Sequence, residues 1–203
     1  ARVWEAATGV EVARMTHDGQ VSAVAISPDG RQVLSGGKST RVWEAATGVE
    51  VARMRQADVQ AVAFSPDGRW VVSDDANTVR VWEAATGVEV ARMTQWGGGS
   101  VTFSPDGRWV VFASGHTAWV WEAATGVEVA RMMHEDLVSA VAFSPDGQWV
   151  VSAGCDELNE SFTCIRGSAR VWEAATGIEV ARMTHGGRVR SVAFSPDGQW
   201  VVS

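Results

Sequence analysis

Short runs of apolar and alternating residues recur along this chain, and residues 59–93 display the pattern most completely. The run 59–65 is rich in β-branched and small apolar residues, and 69–73 is almost continuously apolar, which is typical of a strand buried on both faces. The runs 78–82 and 88–93 alternate Val with polar or charged residues. This pattern predicts four antiparallel strands that follow one another as a meander.

Two short phrases separate these strands. Ser-Pro-Asp-Gly at 65–68 combines a Pro at the second turn position with a closing Gly, which predicts a tight turn. Glu-Ala-Ala-Thr-Gly at 83–87 also ends in Gly. A helix over 83–93 is the alternative, because Glu, Ala, Arg and Met favour helices. The Gly in the middle of that segment and the Val-x-Val alternation favour a turn followed by a strand.

Both phrases occur five times, and the second is followed each time by nearly the same strand, with Ile178 as the one replacement of Val. A fixed period near 40 residues is the signature of a repeat fold, in which each unit buries its apolar faces against its neighbours. The tryptophans that precede Glu-Ala-Ala-Thr-Gly are Trp4, Trp43, Trp82, Trp121 and Trp172. The Ser-Pro-Asp-Gly phrases begin at Ser27, Ser65, Ser104, Ser144 and Ser195.

Four-stranded units of this length that end in a Trp–acid pair resemble the blades of WD-repeat (WD40) β-propellers. The resemblance covers the whole chain and is carried by Val-x-Val-Trp-Glu before one turn, by Ala-Phe-Ser-Pro-Asp-Gly at the other, and by a His in the loop before the first strand. It implies an all-β fold, a five-bladed β-propeller of four-stranded antiparallel blades. The acid of the family's Trp-Asp pair is Glu in this chain, at Glu5, Glu44, Glu83, Glu122 and Glu173.

The resemblance also implies a hydrogen-bonded set of His, Ser, Asp and Trp inside each blade. Gln56 and Gln95 replace the His in two blades, Phe112 replaces the Ser in one, and no Asp lies about six residues before any of the tryptophans. We therefore expect an incomplete set. The residues predicted to have this structural role are Trp4, Trp43, Trp82, Trp121, Trp172, His17, His134 and His185, with the serines Ser35, Ser73, Ser152 and Ser203.

The chain begins with the third and fourth strands of a unit, 1–15, and ends with a first and second strand, 189–203. We expect a propeller closed by pairing these N- and C-terminal half-blades, which leaves no free sheet edge. An open segment of a longer array and assembly with a second copy are the alternatives. The predicted blades of the single domain 1–203 are 21–54, 59–93, 100–132, 138–183, and 189–203 together with 1–15.

The repeats differ from each other mainly in two of their four loop types. The variable loops are those that enter the first strand and those that join the second and third strands, whereas the two phrases hardly change. Alternate connections of a meander lie on the same side, so we expect one variable face and one constant face. Binding groups are usually placed on loops of a rigid scaffold. The variable loops are 16–20, 55–58, 94–100, 133–137 and 184–188, and 36–40, 74–77, 113–118 and 153–169.

We predict that a partner binds to this variable face. Trp96 lies among glycines and is expected to be a contact anchor, with packing onto its own blade as the alternative. The net charge of −7 and the acids of the face predict a basic protein or peptide, and they argue against a nucleic acid. The predicted partner-binding residues are Asp18, Lys38, Asp58, Asp74, Asp75, Trp96, His116, Glu135, Asp136 and Arg188.

The predicted function is that of a non-catalytic interaction scaffold or sensor module. The chain has no G-x-S-x-G, P-loop or H-E-x-x-H motif, so we expect neither enzymatic activity nor a cofactor or metal. No apolar run approaches the ~20 residues of a membrane span, and no signal peptide is visible, so we expect no membrane contact and a cytoplasmic location. The alternatives are a propeller that binds a small ligand or glycan, and a fragment of a larger repeat array in a signalling protein.

Two further features bear on the surface. Cys155 and Cys164 form either a disulfide or two free thiols. The arginines of the third strands are expected on the exposed outer rim, where ion pairs with glutamates of the fourth strands contribute little. Trp119 replaces this Arg in one unit and is expected to leave an apolar spot on the rim. These arginines are Arg2, Arg41, Arg80 and Arg170.

Overall fold

A computed structural model of the chain describes residues 1–75, 77–94 and 98–203, and its regular elements are all β-strands. Within these ranges, no helix is long and apolar enough to cross a membrane. The strands are β1 (Arg2–Trp4), β2 (Glu11–Arg14), β3 (Val21–Ile26), β4 (Gln32–Gly37), β5 (Thr40–Glu44), β6 (Glu50–Met54), β7 (Ala61–Phe64), β8 (Trp70–Asp74), β9 (Thr78–Glu83), β10 (Glu89–Thr94), β11 (Val101–Phe103), β12 (Trp109–Ser114), β13 (Thr117–Glu122), β14 (Glu128–Met133), β15 (Val138–Phe143), β16 (Trp149–Leu158), β17 (Cys164–Glu173), β18 (Glu179–His185), β19 (Ala193–Phe194) and β20 (Val201–Val202).

The strands form four antiparallel sheets of four strands, each in chain order. These sheets are called blade 1 (β3–β6), blade 2 (β7–β10), blade 3 (β11–β14) and blade 4 (β15–β18). Two further sheets have two strands each, the N-terminal half-blade (β1–β2) and the C-terminal half-blade (β19–β20). The prediction of an all-β fold made of four-stranded antiparallel units is confirmed.

The two repeated phrases form turns that satisfy their own polar groups. In blade 2, the carboxylate of Asp67 accepts hydrogen bonds from the Ser65 hydroxyl (2.5 Å) and from the backbone N–H of Arg69 (3.0 Å). At the other turn, Thr86 donates to the Glu83 carboxylate (2.6 Å). Gly68 closes the first turn at φ 71°, in the left-handed region that favours glycine. Because each turn is self-contained, the same phrase serves every unit.

The hydrophobic core lies between neighbouring blades and not within a blade. The cluster between blades 1 and 2 joins Leu34, Val42 and Met54 of one blade to Val71 and Trp82 of the next. Equivalent clusters join blade 2 to blade 3, blade 3 to blade 4, and the N-terminal half-blade to blade 1. Each sheet therefore depends on its neighbour to remove its apolar face from water.

The predicted pairing between residues 1–15 and 189–203 is not among the strand pairings of the described residues. The two half-blades are separate sheets, so no closed sheet is formed. Trp4 of the N-terminal half-blade is 51% exposed, although its equivalents in blades 1, 2 and 4 are buried. Trp200 of the C-terminal half-blade is exposed as well. These side chains lack the neighbour that covers their equivalents elsewhere.

The expectation of a long loop at 153–169 is wrong, because most of this segment is a hairpin. Strands β16 and β17 continue their pairing as far as Leu158 and Cys164. Cys155 and Cys164 form a disulfide with a Cα–Cα distance of 5.9 Å, which decides between the two alternatives that the sequence left open. The cross-link ties the two strands together near the end of the hairpin.

We expect the replacement Trp82→Ala to lower the free energy of unfolding by about 3–5 kcal/mol, because a large buried aromatic side chain leaves a cavity. Trp82 is 4% exposed in the cluster between blades 1 and 2, and its indole N–H is hydrogen-bonded. Urea denaturation followed by far-UV circular dichroism measures the change.

Trp4→Ala is the matched control, because Trp4 has the same place in its unit but is half exposed. Its expected cost is below about 2 kcal/mol. Equal losses in the two variants would mean that packing between blades does not determine stability.

Candidate functional site

The two variable loop types lie on one face of the blades. Between blades 3 and 4, the backbone N–H of His134 donates to the carbonyl of His116 (2.8 Å), and Val138 N–H donates to that of Gly115 (2.8 Å). On the opposite side, Ala84 N–H of one constant phrase donates to the carbonyl of Arg69, which directly follows the other (2.9 Å). Direct hydrogen bonds thus join the variable loops to each other and the constant turns to each other.

Beneath the variable face, blade 4 contains a buried chain of three side chains. The indole N–H of Trp172 donates to the Ser152 hydroxyl (2.7 Å), and this oxygen lies 2.7 Å from Nε2 of His134. Burial, followed by the nearby charge of Arg170, lowers the pKa of His134 to about 3. The imidazole is therefore neutral at ordinary pH and lies buried within this hydrogen-bonded set.

Blade 2 builds the same chain with Gln in place of His. The Ser73 hydroxyl donates to the side-chain oxygen of Gln56 and accepts the indole N–H of Trp82 (2.8 Å). The amide nitrogen of Gln56 donates to the Thr78 carbonyl (3.0 Å). An uncharged amide therefore replaces the neutral imidazole without loss of hydrogen bonds.

The other two full blades complete less of the set. In blade 1, Trp43 donates to Ser35 (2.7 Å), but the His17 ring lies against the Trp43 ring (centroids 5.1 Å apart) and its Nε2 has no partner among the described residues. In blade 3, Phe112 replaces the Ser, and the buried indole N–H of Trp121 has no partner there either. The expectation of an incomplete set is thus met differently in each blade.

A buried arginine links the variable loops of blade 4 to its strands. The Arg170 guanidinium bonds the carboxylates of Asp156 and Glu135, and Glu179 lies 3.6 Å away. Its Nε donates to the Ser168 hydroxyl (2.9 Å). Arg170 is only 1% exposed, so its predicted position on the exposed rim is wrong. Acids from the loop, the hairpin and the fourth strand enclose its charge and compensate its lost hydration.

Blade 1 repeats this arrangement with Arg41, which is also buried. Its guanidinium bonds the Asp18 carboxylate and lies 3.3 Å from Glu50, and its Nε donates to the Ser39 hydroxyl (2.8 Å). It also lies over the Trp43 ring, 5.6 Å from the centroid. Asp18 and its counterpart Glu135 in blade 4 were predicted to contact a partner, but each already neutralises a buried arginine.

In blade 3, Trp119 occupies the place of this arginine and is itself nearly buried. The guanidinium of Arg131 covers its ring at 4.2 Å from the centroid. The predicted apolar spot on the rim is therefore absent. Trp119 also contributes to the core cluster between blades 2 and 3.

The predicted acids Asp74 and Asp75 are bonded within the protein. Asp74 is 2% exposed and accepts the backbone N–H of Gly99 (2.9 Å), so it is not available on the surface. Asp75 accepts the N–H groups of Asn77 (3.0 Å) and Thr78 (2.7 Å). Partial burial raises the pKa of Asp75, but these and other hydrogen bonds outweigh it and lower the pKa overall. Both acids hold loops in place.

The remaining predicted residues do reach solvent, except one that lies outside the described residues, Trp96. Asp136 is half-buried, and its carboxylate accepts the N–H of Leu137 (2.7 Å). Nδ1 of His116 lies 3.1 Å from the carbonyl oxygen of Glu135. The exposed predicted residues are Asp18, Lys38, Asp58, His116, Glu135 and Arg188, of which Asp18 and Glu135 are paired with buried arginines. Among the described residues, no group of three or more His, Cys, Asp or Glu is arranged to hold a metal ion.

Among the described residues of the variable face, the most exposed apolar side chain was not one of the predicted residues. Phe162 is 83% exposed at the end of the β16–β17 hairpin, and Leu158 and Ile165 beside it are exposed too. We call residues 158–165 the tip. Two cysteines separated by nine positions, with Asn and Ser between them, were the signal in the sequence for a cross-linked turn.

A sequence profile described as "WD domain, G-beta repeat" matches five segments of the chain, 9–44, 50–83, 99–122, 128–158 and 178–203. Among solved structures, the chain resembles the computationally designed Ika8 protein, with 27% identity and a TM-score of 0.79, over 96% of this chain and 59% of that one. It also resembles the hydrazine synthase of Kuenenia stuttgartiensis, with 20% identity and a TM-score of 0.76, over 93% of this chain and 56% of that one.

The chain therefore spans less than three-fifths of the length of these solved chains. At 20% identity, the second likeness concerns the fold alone. No curated protein sequence with which the chain was compared matches it.

We expect the variant His134→Gln to resist acid better than the unchanged chain. The pKa of His134 in the folded state, about 3, lies below its ordinary value of about 6.5, so stabilisation by the neutral imidazole is present above pH 6.5 and is lost as the pH falls from 6.5 towards 3. Between pH 7 and pH 4.5 the unchanged chain should lose about 2–3 kcal/mol through this group.

Gln is the matched replacement, because Gln56 already fills this place in blade 2. Urea denaturation at both pH values, on both proteins, gives the difference. A loss of stability that is as large in His134→Gln as in the unchanged chain would contradict the assignment of this acid sensitivity to His134.

Proposed function

The chain belongs to the WD-repeat family, and from that premise we propose that it is a non-catalytic scaffold or sensor module that binds a protein or peptide through its variable face. The observation that carries the proposal is the concentration of differences between the loops of the repeats on that face. The constant turns use the same internal hydrogen bonds in each blade, as Asp67 and Asp106 illustrate. A surface on which all units are alike offers little to identify one partner.

The scaffold beneath the face favours precise placement of its loops. Hydrogen bonds join neighbouring loops, and the buried Arg41 and Arg170 fix loop acids to the strands. Loops held in this way lose little conformational freedom on binding, which favours affinity. Asp58 is exposed at φ 55° and has no ion pair among the described residues, so its carboxylate is free to meet a partner.

We further propose that the partner is basic. The net charge of −7 attracts a cation from a distance and accelerates encounter. Asp18 and Glu135 do not supply the charge for direct contact with a basic partner, because each is paired with a buried arginine. Asp58 and the half-buried Asp136 remain as loop acids for direct contact.

We expect the double charge reversal Asp58→Lys with Asp136→Lys to weaken capture of the partner about tenfold or more while the circular dichroism spectrum is unchanged. The measurement is affinity capture from the source organism, followed by quantitation of the proteins retained. Retention by the unchanged chain should also fall as salt rises, because exposed charges are screened over about 8–10 Å at ordinary ionic strength.

Glu44→Lys is the control, because it reverses an exposed acid on the constant face. A second variant replaces the variable loops by those of a single unit. Capture that survives both variable-face changes and is lost with Glu44→Lys would mean that the binding surface is the constant face.

We also propose that the two half-blades are the halves of one blade and close the propeller by pairing. The register of complete blades supplies the template, since Val72 pairs with Val81 in blade 2 and Val151 with Val171 in blade 4. The same spacing from the tryptophans brings Val202 opposite Val3.

The hydrogen-bonded set of the complete blades supports this pairing. His185 and Ser203 of the C-terminal part already lie 2.9 Å apart, in the way that His134 and Ser152 do in blade 4. The missing third member is an indole, and the exposed Trp4 lies in the matching position of the other half-blade.

We expect Val3→Cys with Val202→Cys, in a chain with Cys155→Ser and Cys164→Ser, to form a disulfide under mild oxidation, because paired strands place Cα atoms within the reach of a disulfide. Non-reducing electrophoresis and peptide mass spectrometry measure the result. A cross-linked single chain supports closure, and covalent dimers support pairing between copies. Free thiols throughout would contradict both forms of pairing.

A further inference from the structure

The tip of the β16–β17 hairpin extends the variable face beyond the other blades. In blade 4, the second and third strands continue their pairing through Glu157 with Arg166 and Leu158 with Cys164. In blade 1, the equivalent strands end at Gly37 and begin again at Thr40. The extension thus belongs to one unit and carries side chains that have no equivalent in blade 1.

Two interactions fix this extension to the blade. The disulfide between Cys155 and Cys164 ties its two strands together. Asp156, whose side chain is nearly buried, bonds the guanidinium of Arg170 inside the blade. The base of the tip is therefore anchored both covalently and by a buried ion pair.

The turn at the end of the hairpin is closed by its own hydrogen bonds. The side-chain oxygen of Asn159 accepts the N–H groups of Ser161 (3.0 Å) and Thr163 (2.9 Å). Backbone bonds run from Phe162 N–H to the Asn159 carbonyl (2.9 Å) and from Asn159 N–H to the Thr163 carbonyl (2.9 Å). This segment has a defined conformation in the absence of any partner.

Phe162 is exceptional in two respects within this turn. Its φ is 57°, in the left-handed region that bulky residues seldom adopt, and its side chain is 83% exposed. Neither feature stabilises the isolated chain, and such local strain clusters at sites of function. Leu158 and Ile165 extend the exposed apolar surface along the hairpin.

We propose that the tip is the anchor of the partner-binding surface and that Phe162 packs against apolar side chains of a peptide segment of the partner, next to basic residues of that segment. Basic residues are expected in that segment because Glu160 is the one charged side chain of the tip. Glu160 has no ion pair among the described residues, whereas Glu157 lies 3.3 Å from Arg166. An aromatic side chain on a rigid turn contributes contact area at a low cost in conformational entropy. This inference rests on the proposed binding through the variable face.

The test uses the intact chain and a phage-displayed library of random linear peptides as the probe. Peptides selected on the unchanged chain are synthesised, and their dissociation constants are measured by isothermal titration calorimetry. We expect the peptides to carry basic residues beside apolar ones, and Phe162→Asn to weaken them about tenfold or more. Asn tolerates the left-handed conformation, so this variant removes the ring and keeps the turn.

Val88→Ala is the matched control, because Val88 is an exposed apolar residue on the constant face. It should leave peptide affinity unchanged. A further variant, Cys155→Ser with Cys164→Ser, should weaken binding because the tip loses its preorganisation. Melting temperatures of all variants separate these effects from unfolding.

The other outcomes overturn the proposal in distinguishable ways. In one outcome, the peptides bind Phe162→Asn as tightly as the unchanged chain but lose affinity for Asp58→Lys. That result would support binding through the variable face and contradict the role of the tip. Peptides that are affected only by Val88→Ala would reject the variable face as well. Failure to select any peptide that binds the unchanged chain would also count against an exposed aromatic anchor.

Discussion

The whole structure depends on one constraint, that each blade must have a neighbour to cover its apolar face. The core clusters cross the boundary between blades. The side chains of Leu34 and Met54 in blade 1 are shielded from water because Trp82 of blade 2 packs against them. A four-stranded sheet of this size has no core of its own. Trp and Val recur at fixed spacing in the sequence because each blade buries them against its neighbour. Trp4 is exposed because its half-blade has no neighbour on that side.

Because packing between blades supplies the stability, the hydrogen-bonded set beneath the variable face tolerates substitution. Blade 4 uses His134 and Ser152, blade 2 uses Gln56, and blade 3 has Phe112 and an indole without a partner among the described residues. Phe112 compensates in part, because it is fully buried in the cluster between blades 2 and 3. A lost hydrogen bond is thereby exchanged for apolar burial, which is a smaller change than the loss of a neighbouring blade.

The sequence predicted the strands, the turns and the two faces well, because each follows from local pattern and repeats itself. It did not predict which charged groups are free, since that depends on where a side chain ends in space. Arg170 alternates with apolar residues as an exposed rim residue would, yet three acids from separate segments enclose it. The hairpin at 153–169 was missed because it occurs once, and comparison between repeats gives no information about a unique insertion.

The variable face therefore carries two kinds of residue, those paired inside the scaffold and those proposed to contact a partner, and the sequence alone does not separate them. Asp18 and Glu135 vary between units as binding residues would, but each compensates a buried arginine and so belongs to the scaffold. The buried carboxylate of Asp74 likewise bonds within the protein, where it accepts the backbone N–H of Gly99. Under the proposed function, recognition is left to the tip and to groups such as Asp58 that have no ion pair among the described residues. In a repeat protein, variation among units identifies the face that carries function, but burial and pairing decide which of its residues are available.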